Sequence, residues 1–131
     1  PNPASFVAII EGRDETIRKI KRAVTDSDSV VRYAEGKDGI NNLMSIYSSF
    51  TGKSFDEIEK EFDGKGYGDF KSAVGEVCAD SLEGVRSEYA KLIKDKAYLE
   101  QIMKDGAQKA SYLAEKTLRK VYKKVGFYQV K

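Results

Sequence analysis

Residues 64–71 combine side chains and backbone freedom suited to binding an anion or an unpaired base. The stretch is Gly-Lys-Gly-Tyr-Gly-Asp-Phe-Lys, and a helix is expected to start within it. Glycines allow close approach of the backbone, and the free N–H groups of a first helical turn favour an anion. Lys65 and Lys71 add positive charge, and Tyr67 adds a ring on which a base could stack. The stretch predicts an RNA contact, although a tight turn between two helices is the simpler explanation of three glycines.

The missing residue types exclude several kinds of active site. The chain has no histidine and one cysteine, so a His/Cys zinc site, a Ser-His-Asp triad and a Cys-His pair are ruled out. Its carboxylates and lysines alternate along helix faces, as at residues 56–61, which is typical of solvated surfaces. We therefore expect no catalytic residue, no metal and no cofactor in this chain.

Residues 51–54 read Thr-Gly-Lys-Ser, like the end of a phosphate-binding P-loop. That motif also requires a glycine five residues before Gly52, where this chain has Tyr47. Ser54 and Glu57 instead have the spacing of a capping box. The segment is therefore predicted to start a helix.

The composition predicts a single helical domain in the cytoplasm. The chain has 131 residues and only two prolines, Pro1 and Pro3, so its body has no proline to break a helix. No stretch approaches the ~20 apolar residues of a membrane span. The single cysteine, Cys78, cannot form an internal disulfide and fits a reducing compartment. We expect a soluble protein without a membrane partner.

Apolar spacing and capping residues predict an all-α bundle of about five or six helices, after a short extended N-terminal segment. The predicted helices cover residues 14–23, 40–50, 54–62, 69–92, a short helix from 95 with a break or kink at Gly106, and a last helix to 125. Their apolar stripes are expected to form the core, including Val24 in the first helix and Leu113 in the last. The apolar run 6–10 is expected to need a partner surface.

The net charge of +2 is unevenly distributed along the chain. Residues 104–131 contain eight Lys or Arg against two acidic residues, a balance of +6, which leaves −4 for the rest. A basic terminal helix suits a phosphate backbone. Compensation of the helix dipole on a solvated face is an equally good explanation.

Several segments in one fixed order carry a family resemblance. They are Pro1-Asn2-Pro3, Lys-Ile-Lys-Arg-Ala-Val-Thr-Asp-Ser at 19–27, Val-Arg-Tyr at 31–33, Gly-Ile-Asn-Asn-Leu at 39–43, the segments 46–48, 51–54 and 64–71, and Lys-Thr-Leu-Arg-Lys-Val-Tyr at 116–122 with Val-Gly-Phe at 125–127. This order resembles the C-terminal region of bacterial tryptophanyl-tRNA synthetases, which are class I aminoacyl-tRNA synthetases. The resemblance spans nearly the whole chain.

The resemblance implies a division of labour between this chain and a missing catalytic domain. In that family a Lys-Met-Ser-Lys-Ser signature, whose lysines handle ATP phosphates, comes just before the Pro-Asn with which this chain begins. Residues 1–12 would then be a linker after the signature loop, and 13–131 a helical anticodon-binding domain. The parent, a homodimer, would attach tryptophan to its tRNA with ATP and magnesium. The fragment alone is expected to be inactive.

The resemblance also places two segments near the anticodon. One comprises Thr25, Asp26, Ser27 and Asp28, and the other supplies Lys65, Tyr67 and Lys71. Carboxylates accept hydrogen bonds from the exocyclic amino groups of cytosine and adenine, the only bases in the CCA anticodon of tryptophan tRNA. Alternatively, the polar residues only cap or turn the chain and the tyrosine packs on the helix below.

The expected partners are the anticodon loop of tryptophan tRNA and the missing catalytic domain, with no DNA. The rival interpretation is a free-standing helical protein-interaction module. Salt dependence separates the two, because RNA binding weakens steeply with added salt.

Overall fold

The computed structural model describes residues 2–127, and within that range the regular structure is entirely helical. A short 3-10 helix, Pro3–Ser5, precedes six α-helices. These are α1 (Arg13–Lys21), α2 (Asp38–Thr51), α3 (Phe55–Glu61), α4 (Tyr67–Ser81), α5 (Glu83–Leu92) and α6 (Lys96–Val125). The predicted all-α class is confirmed. Pro1 of the family resemblance and Lys131 of the basic terminus lie outside the described residues.

The chain divides into two compact units, residues 1–89 and 90–131. In the first unit α1 and α2 both pack against α4, and α3 packs against α2. Gly75 favours the close approach of α1 and α4, because a Cβ there would lie 3.2 Å from the Cα of Ile17. The helix pair therefore meets almost backbone to backbone.

Three aromatic rings form the centre of this packing. Phe70 of α4 is fully buried, and its ring meets the edges of Tyr47 and Phe62 at centroid distances of 5.9 and 4.9 Å. Edge-to-face pairs of this kind add to the free energy gained from apolar burial. The core thus joins α2, the end of α3 and α4.

The predicted helix start after residues 51–54 is confirmed. Gly52 ends α2 with φ of 73°, a left-handed conformation that favours glycine. Ser54 then caps α3: its Oγ accepts from the Glu57 N–H, and the Glu57 carboxylate accepts from the Ser54 N–H at 2.7 Å. This segment is a helix stop followed by a capping box.

The first predicted helix boundary is wrong in its last turn. Helix α1 ends at Lys21, with Arg22 as its C-cap, so Val24 lies in the following loop. Its side chain is 88% exposed rather than part of the core. Ile20 is buried as expected.

The helix predicted over 69–92 is two helices in the structure. Helix α4 begins earlier, after Gly66 as N-cap, and gives way to α5 at Leu82. At this junction the Arg86 guanidinium donates to the Ala79 carbonyl. The same guanidinium donates to the Glu11 carbonyl at 3.1 Å.

Helix α6 differs from the prediction in two ways. It runs through Gly106 without a break, since one glycine costs a helix only about 1 kcal/mol, and ends at Gly126 with φ of 78°. None of its residues, all of which the structure describes, is buried. Leu113 of the predicted core stripe is 64% exposed. The core prediction is therefore wrong for this helix.

Only part of the apolar N-terminal run, residues 6–10, packs against the core. Val7 packs against the core of the first unit, whereas Phe6, Ile9 and Ile10 are exposed. Across the described part of the chain, every helix is too short or too polar to cross a membrane.

Candidate nucleic-acid interface

The two segments predicted to form one site lie against each other. The Tyr67 hydroxyl donates to Asp26 Oδ1 at 2.7 Å. Lys71 Nζ donates to Thr25 Oγ1 and to the Ala23 carbonyl, both at 2.8 Å. The start of α4 thereby holds the loop that follows α1.

Lys37 lies at the centre of this arrangement, and it was not among the predicted site residues. Its Nζ donates to the Tyr67 hydroxyl at 2.9 Å and to the Val30 carbonyl at 3.3 Å. It also pairs with Asp28 and lies 3.5 Å from Asp26 Oδ1. The side chain is only 13% exposed. In the sequence it sits in a turn-rich stretch, 35–39, where a lysine is ordinarily solvated.

Hydrogen bonding and burial in this cluster shift three pKa values, each toward the protonation state that the group has near neutral pH. The Tyr67 hydroxyl and the Asp28 N–H lower the pKa of Asp26. Bonding to Asp28 and Tyr67 raises the pKa of Lys37, while burial raises the pKa of the Tyr67 hydroxyl. Near neutral pH the cluster therefore holds an ionised carboxylate, a charged ammonium and a protonated phenol.

One acceptor of the cluster is unused. Asp26 Oδ1 accepts from Tyr67 and from the Asp28 N–H at 2.9 Å, whereas Oδ2 is buried and has no partner among the described residues. A buried carboxylate oxygen without a donor costs free energy unless a ligand or water supplies one. Asp28 is more exposed and offers its carboxylate beside it.

Tyr67 is held by its ring and oriented by its hydroxyl. The side chain is 8% exposed and belongs to the core of the first unit. Its ring has no open face for a base in this conformation. The role that the contacts support is to orient Asp26.

Two other predicted residues stay outside the cluster. Lys65 is exposed on the turn after α3, with its Nζ 5.1 Å from the centre of the Phe62 ring. Ser27 is exposed, and its hydroxyl makes no hydrogen bond to another residue in the range 2–127. Neither side chain has a hydrogen bond or an ion pair with another residue in 2–127.

Close packing at Gly39 fixes the loop from the other side. A Cβ at Gly39 would overlap the Val24 carbonyl oxygen and lie 3.2 Å from the Cα of Thr25. Ser29 adds a further constraint, with φ of 64°, an unusual value for a residue other than glycine. Both features restrict the conformations open to the loop.

Curated tryptophan–tRNA ligases are similar to nearly the whole of this chain. The tryptophan–tRNA ligase of Clostridium acetobutylicum is 47% identical over 126 residues, covering 96% of this chain and 38% of that protein. The ligases of Wolinella succinogenes and Bacillus anthracis are 43% and 42% identical, each with 38% of the relative covered. The chain is similar over nearly its whole length to part of these tryptophan–tRNA ligases. It spans about 38% of the length of these relatives and corresponds to their C-terminal part.

The structural comparison supports the fold. A crystal structure of tryptophanyl-tRNA synthetase from Mycoplasma pneumoniae covers 97% of this chain with a TM-score of 0.67 and 21% identity. The match covers 39% of that chain. No family model matches the sequence.

The segment that the resemblance treats as a linker is bonded to the helices in this chain. Lys19 Nζ donates to the Phe6 carbonyl at 3.1 Å and pairs with Glu11. Arg86 binds the Glu11 backbone from α5. The division of the chain into 1–12 and 13–131 remains a prediction.

Proposed function

We propose that this chain is the anticodon-binding region of a tryptophan–tRNA ligase. The contact surface comprises Thr25, Asp26, Ser27, Asp28, Lys65 and Lys71, with Tyr67 and Lys37 as positioning residues. The observation that carries the proposal is the buried, unpartnered Oδ2 of Asp26, held in place by hydrogen bonds to the other oxygen.

The chemistry of this acceptor fits the bases of a CCA anticodon. Cytosine N4 and adenine N6 are amino donors, whereas guanine and uracil present carbonyl acceptors at the corresponding positions. An ionised Asp26 carboxylate attracts the amino groups of cytosine and adenine and repels the carbonyl oxygens of guanine and uracil. Two of the three N–H donors of Lys71 are hydrogen-bonded within the protein, which leaves one for a phosphate or a base acceptor.

The rest of the reaction belongs to the part of the relatives that this chain does not match. There the parent would join tryptophan to its tRNA with ATP and magnesium, as a cytoplasmic homodimer. Residues 2–127 contain no group of three or more His, Cys, Asp or Glu side chains that could hold a metal ion. We assign no step involving ATP or magnesium to this chain and expect no turnover from it alone.

Binding of an anticodon stem-loop RNA tests the proposal. A CCA loop should bind more tightly than a scrambled loop, and affinity should fall steeply with salt. Asp26→Asn places an amide where the carboxylate accepts, so affinity for the CCA loop should fall about 10-fold or more. Asp56→Asn, an exposed carboxylate on α3, is the matched control. Equal binding of CCA and scrambled loops would refute the proposal, and binding indifferent to salt would instead favour a protein partner.

Tyr67→Phe separates positioning from direct contact. It keeps the buried ring but removes the hydroxyl that orients Asp26. We expect the preference for CCA over a scrambled loop to shrink while the thermal unfolding midpoint changes little. An unchanged preference would show that the hydroxyl does not position the carboxylate.

A further inference from the structure

An open groove of about 620 Å³ borders the Asp26 cluster and has no assigned role. Its walls are the irregular segment 29–32, the end of α3 and the turn 62–66. Its volume falls within the ~300–1,000 Å³ typical of pockets that take small ligands. Segment 29–32 follows Asp28 directly, and Lys37 binds both Asp28 and the Val30 carbonyl. The groove is therefore continuous with the proposed contact surface.

One wall of the groove is an unpaired backbone edge. Among the described residues, only the Val30 carbonyl in segment 29–32 has a hydrogen-bond partner, Lys37. The other N–H and C=O groups of this segment make no hydrogen bond within that part of the chain. Backbone without internal hydrogen bonds has both donors and acceptors free, which are the groups that bind the edges of unstacked bases.

The side chains around the groove include cations that the protein does not use. Arg32 and Lys60 line it and form no ion pair or side-chain hydrogen bond with another residue in 2–127. Lys65 lines it from the turn. Of the two acidic residues in the lining, Glu59 is occupied by the Tyr33 N–H at 2.9 Å. With three cationic and two acidic side chains in its lining, the groove favours one phosphate rather than a cation.

Two glycines keep the groove wide. A Cβ at Gly64 or Gly66 would meet no atom within 4 Å. Gly64 has φ of 71°, so its backbone conformation itself favours glycine. Gly66 has φ of −83°, which any residue adopts. Glycine is among the residues favoured at a helix N-cap, the position that Gly66 holds in α4, and it also leaves the backbone open to close approach of a ligand.

We propose that this groove is a second nucleotide subsite, which takes an unpaired nucleotide of the RNA adjacent to the one that Asp26 contacts. The base edge binds the backbone of 29–32, and the phosphate binds Arg32, Lys60 or Lys65. The inference rests on the proposed anticodon function. The protein would then contact two neighbouring nucleotides of the RNA, one at Asp26 and one in the groove.

Gly66→Ala is the sharpest test, because it adds one methyl group in open space. Affinity for the CCA stem-loop should fall at least fivefold, while the thermal midpoint stays within a few degrees. Gly68→Ala is the matched control: its Cβ also meets nothing within 4 Å, but residue 68 does not line the groove. Equal affinity of the two variants would overturn the subsite.

Abasic RNA identifies the nucleotide. Single abasic positions are introduced around the loop, and each RNA is bound to wild type and to Gly66→Ala. At one position, base removal should weaken binding to wild type but have little further effect on the variant, because both changes remove the same contact. Coupling at no position would contradict the proposal.

Charge variants test the phosphate contact independently. If one of the two side chains binds the phosphate, Arg32→Ala or Lys60→Ala should reduce the slope of log K against log salt by about 0.7, the value for one phosphate of a single strand. Lys94→Ala, which changes an exposed lysine outside the groove, should leave the slope unchanged.

The outcomes separate the subsite from the anticodon function. If wild type prefers CCA but Gly66→Ala, Arg32→Ala and Lys60→Ala all bind like wild type, the subsite is refuted and the anticodon function stands. If wild type has no preference, the anticodon function itself fails.

Discussion

Helices α4 and α6 carry similar apolar stripes, yet only α4 buries its stripe. Six of the 15 residues of α4 are buried, whereas none of the 30 residues of α6 is. The spacing of apolar residues shows which face of a helix is apolar. It does not show whether another element covers that face. The difference comes from tertiary packing, which α1 and α2 supply to α4.

Local interactions maintain α6 instead. Asp95 caps its first turn by accepting from the Tyr98 N–H at 3.0 Å. Glu115 and Arg119, one turn apart, pair at 3.3 Å. Pairs of this kind contribute about 0.2–0.5 kcal/mol each. The helix therefore depends on its length and capping more than on burial.

Matched truncations in the two helices should give the largest contrast. Phe70→Ala removes a fully buried ring from α4 and should cost about 3–5 kcal/mol of unfolding free energy. Leu113→Ala on the exposed face of α6 should change it by no more than about 0.5 kcal/mol. Urea unfolding followed by circular dichroism measures both. Similar losses would mean that α6 is covered in solution.

Glycine-to-alanine substitutions give a second contrast. They should lower stability at Gly39, beside the loop after α1, and raise it at Gly106 in α6. Gly39→Ala forces a methyl group against the Val24 carbonyl, and overpacking of this kind costs about 1–3 kcal/mol. The same measurement on Gly12→Ala serves as control, because a Cβ there meets nothing within 4 Å. A neutral Gly39→Ala would show that the loop after α1 is not held against α2.

In α6 the corresponding change should stabilise. Gly106 lies within the helix with open space around its Cβ, so Gly106→Ala should gain about 1 kcal/mol of local helix stability. Hydrogen exchange of the amides around residue 106 should slow about fivefold. Unchanged exchange would argue for the kink that the sequence predicted at this position.

The fold was predictable where local chemistry decides it. The Ser54 capping box and the buried face around Phe70 follow from spacing alone, and both are present. The break at Leu82 was not predictable from apolar spacing, which continues through it; beside the break, Arg86 donates to the Ala79 carbonyl and to the Glu11 carbonyl. That interaction joins segments far apart in the chain.

The candidate site was predictable as a pair of segments but not as a set of contacts. The family resemblance indicated the loop after α1 and the start of α4, and the Tyr67–Asp26 and Lys71–Thr25 bonds join them. Lys37 was missed because its partners are Asp28 and Tyr67, the latter 30 residues away. Spacing within one helix carries no information about such a contact.

The smallest expected effect concerns a single hydrogen bond in the packed region. The pKa of Asp26 is lower in the folded chain than its ordinary value of 3.8, mainly because the Tyr67 hydroxyl donates to it. Its contribution to stability is therefore present above about pH 3.8 and is lost as the pH falls through the lowered value. The difference in unfolding free energy between wild type and Asp26→Asn should be constant near neutral pH and narrow in acid. In a Tyr67→Phe background this narrowing should weaken, because the main cause of the shift is gone. If the pH dependence is the same in both backgrounds, the Tyr67 hydroxyl does not hold the Asp26 carboxylate in solution, and the contrast between the packed region and α6 rests on the core alone.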